Sequence, residues 1–176
     1  MEYEGIELLN SKLNNDNHIK YFIDIGSNRD KLTCWFAGIT NILKSIGIEI
    51  VKQRYDDSVN LKNKLTEKYP NITKKIEFIC DDVSIINLKQ IVNNSSDTLI
   101  WISNLCFGQE LSDKIFSQIL DQMEIGCIII CSKKPFENNQ EIKKNNKIFN
   151  YINEFSIPMS WTKSSNVLIY QITLEN

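Results

Sequence analysis

Five short apolar runs limit most strongly how this chain can fold. They are KYFIDI (20–25), IGIEIV (46–51), KIEFIC (75–80), TLIWIS (98–103) and CIIIC (127–131). Each is short for a helix and is bounded by polar or turn residues, the pattern of buried strands. CIIIC is apolar throughout, which suits a strand covered on both faces. The segments between the runs repeat at a longer period. Leu32, Trp35, Phe36, Ile39 and Leu43 recur at three- and four-residue steps, so a helix is expected there with Asp30 as its N-cap. Asp56 and Asp57 open a second helix that uses Val59 and Leu65, reaches Tyr69 and stops before Pro70. A short helix is expected around 86–92. Leu111, Ile115, Phe116, Ile119, Leu120 and Met123 form an amphipathic helix, and Gly126 ends the turn after it.

Strands that alternate with helices imply an α/β fold with a parallel, doubly wound sheet. The pattern changes near the end. Residues 137–147 (ENNQEIKKNNK) read as a polar loop. FNYINEF (149–155) and NVLIYQITL (166–174) then read as two strands with IPMSWTKSS between them. With no helix between them they should form an antiparallel pair at the sheet edge. Residues 10–17 (NSKLNNDN) read as a flexible connection, too short to divide the chain. Residues 1–176 therefore read as one domain, with 1–19 as an N-terminal extension and a core over 20–174.

Composition excludes several classes. Apolar and charged fractions of 42% and 24% are those of an ordinary globular protein. A net charge of −2 gives no global field to recruit nucleic acid or an anionic membrane. The start, MEYEGIELL, is acidic where a secretory signal is basic, and no apolar stretch approaches a membrane span. The expectation is an intracellular protein, cytoplasmic or nuclear, that is not secreted. The five cysteines include no C-x-x-C pair, and the one histidine, His18, lies in a polar stretch. That is not a zinc pattern. The cysteines read as small buried apolar side chains in a reducing compartment.

In a doubly wound sheet, ligands bind beyond the carboxyl ends of the strands at the point where strand order reverses. Asp24, Glu49 and Asp82 lie at or just beyond the ends of the first three strands. Glu49 follows Asp24 by 25 residues, roughly the spacing that brings an acid to the hydroxyls of a ribose. A carboxylate can accept two hydroxyl hydrogen bonds at once.

This spacing, with the antiparallel pair at the end, resembles the class I S-adenosylmethionine-dependent methyltransferases. By that resemblance Asp24, Gly26 and Ser27 cup the methionine part of the cofactor, Glu49 holds the ribose, and Asp82 contacts the adenine. The second half narrows the resemblance. SNLCFGQE (103–110), CSKKPF (131–136) and SWT (160–162) all follow expected strands. In that order they resemble the N-x-x-F-G, S-x-K-P-F and S-W-T segments of the disruptor-of-telomeric-silencing family, the histone lysine methyltransferases that lack a SET domain. The matching residues are Asn104, Phe107 and Gly108; Ser132, Lys134, Pro135 and Phe136; and Ser160, Trp161 and Thr162. The resemblance implies lysine methylation of a protein, with a histone or histone-like chain as partner. It implies that Phe107, Trp161 and Phe136 line an apolar lysine channel. It also implies that Asn104 holds the amine or the methionine end of the cofactor.

Three departures keep other readings open. The family loop D-x-G-S-G-x-G becomes Asp24, Ile25, Gly26, Ser27, Asn28, Arg29, Asp30. Asparagine tolerates the left-handed region, so Asn28 can keep the turn, whereas Asp30 adds a negative charge near the expected cofactor carboxylate. Only 23 residues precede Asp24, so a lid is expected to come from a partner, to come from a second copy of the chain, or not to exist. Lys133, Lys134, Lys143, Lys144 and Lys147 are the candidate nucleic-acid contact, but Glu137 and Glu141 interleave them, so a solvated loop is the simpler reading. Beside the protein methyltransferase stand a degenerate methyltransferase fold that serves as a scaffold, and an enzyme acting on nucleic acid or a small molecule.

Overall fold

The computed structural model describes residues 3–13, 18–29, 31–135, 143–160 and 162–175. Its elements in order are α1 (Tyr3–Leu13), β1 (Tyr21–Ile25), α2 (Lys31–Ile39), β2 (Lys44–Ile48), α3 (Lys52–Lys68) and α4 (Pro70–Thr73). These are followed by β3 (Ile76–Ile79), α5 (Leu88–Ile91), β4 (Thr98–Ile102), α6 (Gln109–Gln122), β5 (Ile128–Cys131), β6 (Lys147–Met159) and β7 (Thr162–Leu174). Single 3-10 turns cover Val83–Ile85 and Asn104–Cys106. The seven strands form one sheet in the order β3-β2-β1-β4-β5-β7-β6. β1 to β5 are parallel, and β7 runs antiparallel to both β5 and β6. This is the doubly wound sheet with an antiparallel edge pair that the sequence implies.

Each central strand is buried on both faces because its neighbours alternate between two cores. Ile23, Ile25, Ile46, Ile48, Ile100, Ile102, Ile129 and Cys131 pack with α5 and α6 through Leu88, Ile115, Phe116, Ile119 and Leu120. Phe22, Leu99, Trp101, Ile128 and Ile130 form the opposite core with Ile6, Leu9 and Leu13 of α1 and Leu32 and Phe36 of α2. The rings of Phe22 and Phe36 stack with centroids 4.0 Å apart. Strand order reverses between β1 and β4, so the loops after these two strands border the crevice where ligands bind in such sheets.

Several local expectations change. Residues 3–13 form a helix that the sequence reading left inside the N-terminal extension and a flexible stretch. Its Ile6, Leu9 and Leu13 are buried against the sheet. α2 stops at Ile39, and Leu43 is 62% exposed rather than on the helix face. β2 begins and ends earlier than IGIEIV, which puts Glu49 just past its end. α3 begins at Lys52, ahead of Asp56 and Asp57. IPMSWTKSS is no loop: β6 runs to Met159 and β7 starts at Thr162, so this stretch is mostly strand. Cys127 and Cys131 are buried as expected, but Cys34 and Cys80 are half-buried and Cys106 is exposed. Asp30, Phe136, Trp161 and most of the 137–147 segment lie outside the described residues.

Candidate active site

The site grows from the loop after β1. Gly26 and Asn28 both take positive φ, +73° and +58°. Glycine does this freely, and asparagine is among the few other residues that do so readily. The loop is then tied to the end of β2. The N–H groups of Gly26 and Ser27 both donate to the Ile48 carbonyl, at 2.9 and 3.1 Å. The Asn28 N–H donates to Glu49 Oε2 at 2.9 Å. α3 completes the clamp. Its Ser58 hydroxyl, fully buried, donates to the Arg54 carbonyl at 2.9 Å and reaches the Asn28 carbonyl at 3.4 Å. Asp57 pairs with Arg29 at 3.5 Å, and Arg54 lies 3.8 Å from Glu49.

Glu49 is only 4% exposed. Its other oxygen accepts the Val51 N–H at 2.9 Å. Two backbone donors thus fix the carboxylate, with Arg54 beyond hydrogen-bond distance, and of about four lone-pair sites two remain for hydroxyl donors. Asp82 caps the first 3-10 turn: its Oδ1 accepts the Ser84 N–H at 2.9 Å. That bond, with the nearby Lys114, holds the Asp82 carboxyl below its usual range.

Two cavities open on this side of the sheet. The larger, about 540 Å³, is lined by Glu49, Arg54, Asp82, Leu105, Cys106 and Phe107, among others. The smaller, about 270 Å³, is lined by Asp24, Ser27, Arg29, Lys31, Trp101 and Met159, among others. Both are bordered by Gly26, Asn28 and Ser103, so they adjoin across the β1 loop. Ile6 from α1 and Met159 and Ser160 from the β6–β7 hairpin also line the smaller one. Part of the cover that the sequence reading sought from a partner therefore comes from α1 and this hairpin.

The expected site residues separate. Asp24, Gly26 and Ser27 border the smaller cavity, and Glu49 and Asp82 the larger. Asp24 is 4% exposed and Ser27 8%. Among the described residues no hydrogen-bond partner meets Ser27 Oγ. Phe107 is half-buried and lines the larger cavity, not the smaller. Its ring would sit 3.4 Å from a Cβ at position 26, so it packs over the glycine of the loop. Trp161 is outside the described residues.

Asn104 lies apart from both cavities and is 1% exposed. Its Oδ1 accepts the N–H groups of Ser132 and Lys133, at 3.0 and 2.9 Å, and its Nδ2 donates to the Lys133 carbonyl at 3.3 Å. The side chain joins the loop after β4 to the loop after β5. The lysine cluster is also largely engaged. Lys143 pairs with Glu175, Lys144 with Asp121, and Lys147 donates to the carbonyls of Asp121 and Met123. Lys133 and Lys134 are exposed.

Sequence reasoning missed Arg54, Trp101, Ser103 and Met159. Trp101 had a signal: on β4 it is the register partner of Asp24, so the two share a face at the strand ends. Arg54 had none, because its link to Glu49 depends on how α3 docks.

This sheet order, with acids at the ends of β1 and β2 and adjoining cavities between them, defines a class I, Rossmann-like methyltransferase fold. Similar solved structures share it. A Salinibacter ruber RNA methyltransferase in complex with S-adenosyl-L-homocysteine superposes with a TM-score of 0.64 at 12% identity, covering 97% of this chain and 92% of that one. The methyltransferase domain of bacterial CtHen1-CN gives 0.63 at 11% identity, over 97% and 98%. Within this class the sequence is more specific: the profile described as "Histone methylation protein DOT1" matches residues 6–173, and the chain belongs to that family. A Caenorhabditis elegans histone-lysine N-methyltransferase, H3 lysine-79 specific, is 28% identical over 124 residues. That match takes in 69% of this chain and only 13% of the worm protein's length.

Proposed function

We propose that this protein is an S-adenosylmethionine-dependent methyltransferase whose acceptor is a lysine side chain of a protein, a histone being the first candidate. The observation that carries the reading is the pair of adjoining cavities. One holds a fixed, buried carboxylate suited to ribose hydroxyls; the other holds a buried acid and an unpartnered buried hydroxyl. Family membership and the worm relative support the choice of acceptor.

The residues present fit the cofactor. Glu49 would take the ribose, Asp82 and the walls formed by Leu105 and Phe107 the adenine, and Asp24 and Ser27 the methionine end. Gly26 leaves the space a side chain would fill beneath the Phe107 ring. When bound, the cofactor supplies a methyl group activated on a sulfonium. The chain's own task is to position the acceptor and dry it. A lysine amine with a pKa near 10.4 must lose its proton before it can attack. Ile6, Leu32, Trp101 and Met159 give the smaller cavity one apolar wall, and an acceptor amine packed against that wall would be partly desolvated, which favours its neutral form. Asn104 acts as a positioning residue for the 132–133 loop, not as a catalytic one. A histone acceptor would place the reaction at chromatin. No helix among the described residues is long and apolar enough to cross a membrane.

The scaffold reading drew on the lost glycines, and that argument weakens because Asn28 adopts the left-handed turn. The test is calorimetry of the chain with S-adenosylmethionine and S-adenosylhomocysteine, followed by labelled methyl transfer to histones and to RNA. Saturable binding and label on histone lysine support the proposal. Label on RNA alone would move the acceptor class, and binding with no transfer would favour the scaffold.

A further inference from the structure

Three backbone donors of the loop after β1 are already engaged. The N–H groups of Gly26, Ser27 and Asn28 all point to the end of β2, two to the Ile48 carbonyl and one to Glu49. They cannot also cradle an anion. Yet the smaller cavity is bordered by groups of both signs. Asp24 and the unpartnered Ser27 Oγ are more than nine-tenths buried. Arg29 and Lys31 line the same cavity, and Lys31 starts α2, whose N-terminal end favours negative charge. In the sequence these two cations bracket Asp30 and leave the stretch net positive.

We propose that Arg29 receives the α-carboxylate of the cofactor's amino-acid end in the smaller cavity. The assignment rests on the methyltransferase reading above. A buried acid, a hydroxyl and cations in one cavity are the complement of an α-amino acid. Arg29 is preferred over Lys31 because its planar fork matches a carboxylate with two parallel hydrogen bonds. It already holds one carboxylate, that of Asp57. That pair is weak: its side chains are 73% and 39% exposed. Binding exchanges Asp57 for the ligand, so side chains do here what backbone amides do in a glycine-rich loop.

The test compares S-adenosylhomocysteine with 5′-methylthioadenosine, which keeps the adenosine but lacks the amino-acid end. Calorimetry on the full chain should show both binding, the former more tightly. Arg29→Gln should lower affinity for S-adenosylhomocysteine about tenfold or more and leave 5′-methylthioadenosine unchanged. Asp57→Asn should raise affinity for S-adenosylhomocysteine by up to about fivefold, because it removes the competing carboxylate. Lys31→Gln should have a smaller effect than Arg29→Gln. An Arg29→Gln protein that binds S-adenosylhomocysteine like wild type, or that weakens equally toward both ligands, overturns the assignment alone. Wild-type protein that binds neither ligand overturns the methyltransferase reading and the assignment with it. Arg29 is largely exposed, so the variant should keep its wild-type melting temperature, and a thermal scan checks this.

Discussion

The loop after β1 has Asn28 and Asp30 where the D-x-G-S-G-x-G pattern has glycines, yet Asn28 takes a left-handed turn and the loop borders both cavities. The loop after β4 keeps the expected N-x-x-F-G residues, yet Asn104 is turned inward to hold the backbone of residues 132 and 133. In the first loop, residue types changed and geometry persisted, because β2 and α3 supply the holding contacts. In the second, residue types persisted, and geometry shows that one of them has a supporting task. Hydrogen-bond partners, not matches to a motif, tell the two cases apart.

The sharpest way to break this comparison is Asn104→Ala. It would leave two part-buried N–H groups without their acceptor, at up to about 1–3 kcal/mol for each unsatisfied group, softened by water and by relaxation of the loop. We expect a loss near 3 kcal/mol and a fall in Tm of about 6–12 °C in a thermal scan. A variant that melts like wild type but loses methyl transfer would return Asn104 to the chemistry.

The next effect belongs to the β1 loop. Gly26→Ala would strain a residue at φ +73° and press a methyl group to 3.4 Å from the Phe107 ring. A loss of about 2 kcal/mol in urea unfolding is expected, together with weaker cofactor binding. Asn28→Ala should lose about 1 kcal/mol, whereas Asn28→Gly should lose only a few tenths. If alanine and glycine at position 28 behave alike, the positive φ is not what the asparagine is there to provide.

How far the site could be read from the sequence follows the same division. Asp24, Glu49 and Asp82 were legible because strand ends follow from apolar runs, and one helix plus one turn fixes the spacing between them. β1, β4 and β5 were legible because burial on both faces leaves a continuous apolar signature, and β3 because KIEFIC alternates. α1 was not, because Ile6, Leu9 and Leu13 are interrupted by Asn10 and Ser11 and make sense only against the sheet. The ends of the β6–β7 hairpin were hidden by Pro158 and a serine-rich stretch, which here sit in strands with register shifts. Leu43 continued the helical period by position alone. The task of Asn104 depends on partners 28 and 29 residues away, which no local pattern reports.

Two smaller effects sharpen the comparison. The Ser84 N–H draws the Asp82 carboxyl below its usual value near 3.8. A group lowered on folding stabilises above its unfolded value, and that stability fades as pH falls through the lower, folded one. Urea midpoints measured from about pH 6 to 2 should therefore fall less steeply for Asp82→Asn than for wild type. The smallest effect is chemical. Burial pushes the Cys127 and Cys131 thiols up, so both should resist alkylation until the protein unfolds. Cys106, exposed on the wall of the larger cavity, should react first, and saturating S-adenosylhomocysteine should slow it. Mass spectrometry of the labelled peptides reads both outcomes.

The shared carbonyl of Ile48 has a dynamic consequence. Surface loops usually exchange their amide hydrogens through small local fluctuations of their own. The amides of Gly26 and Ser27 are instead anchored to a strand end, and that of Asn28 to the adjacent buried carboxylate. Each of these bonds must break before its amide can exchange, so the loop that would touch the cofactor should exchange more slowly than a surface loop whose amides face only water.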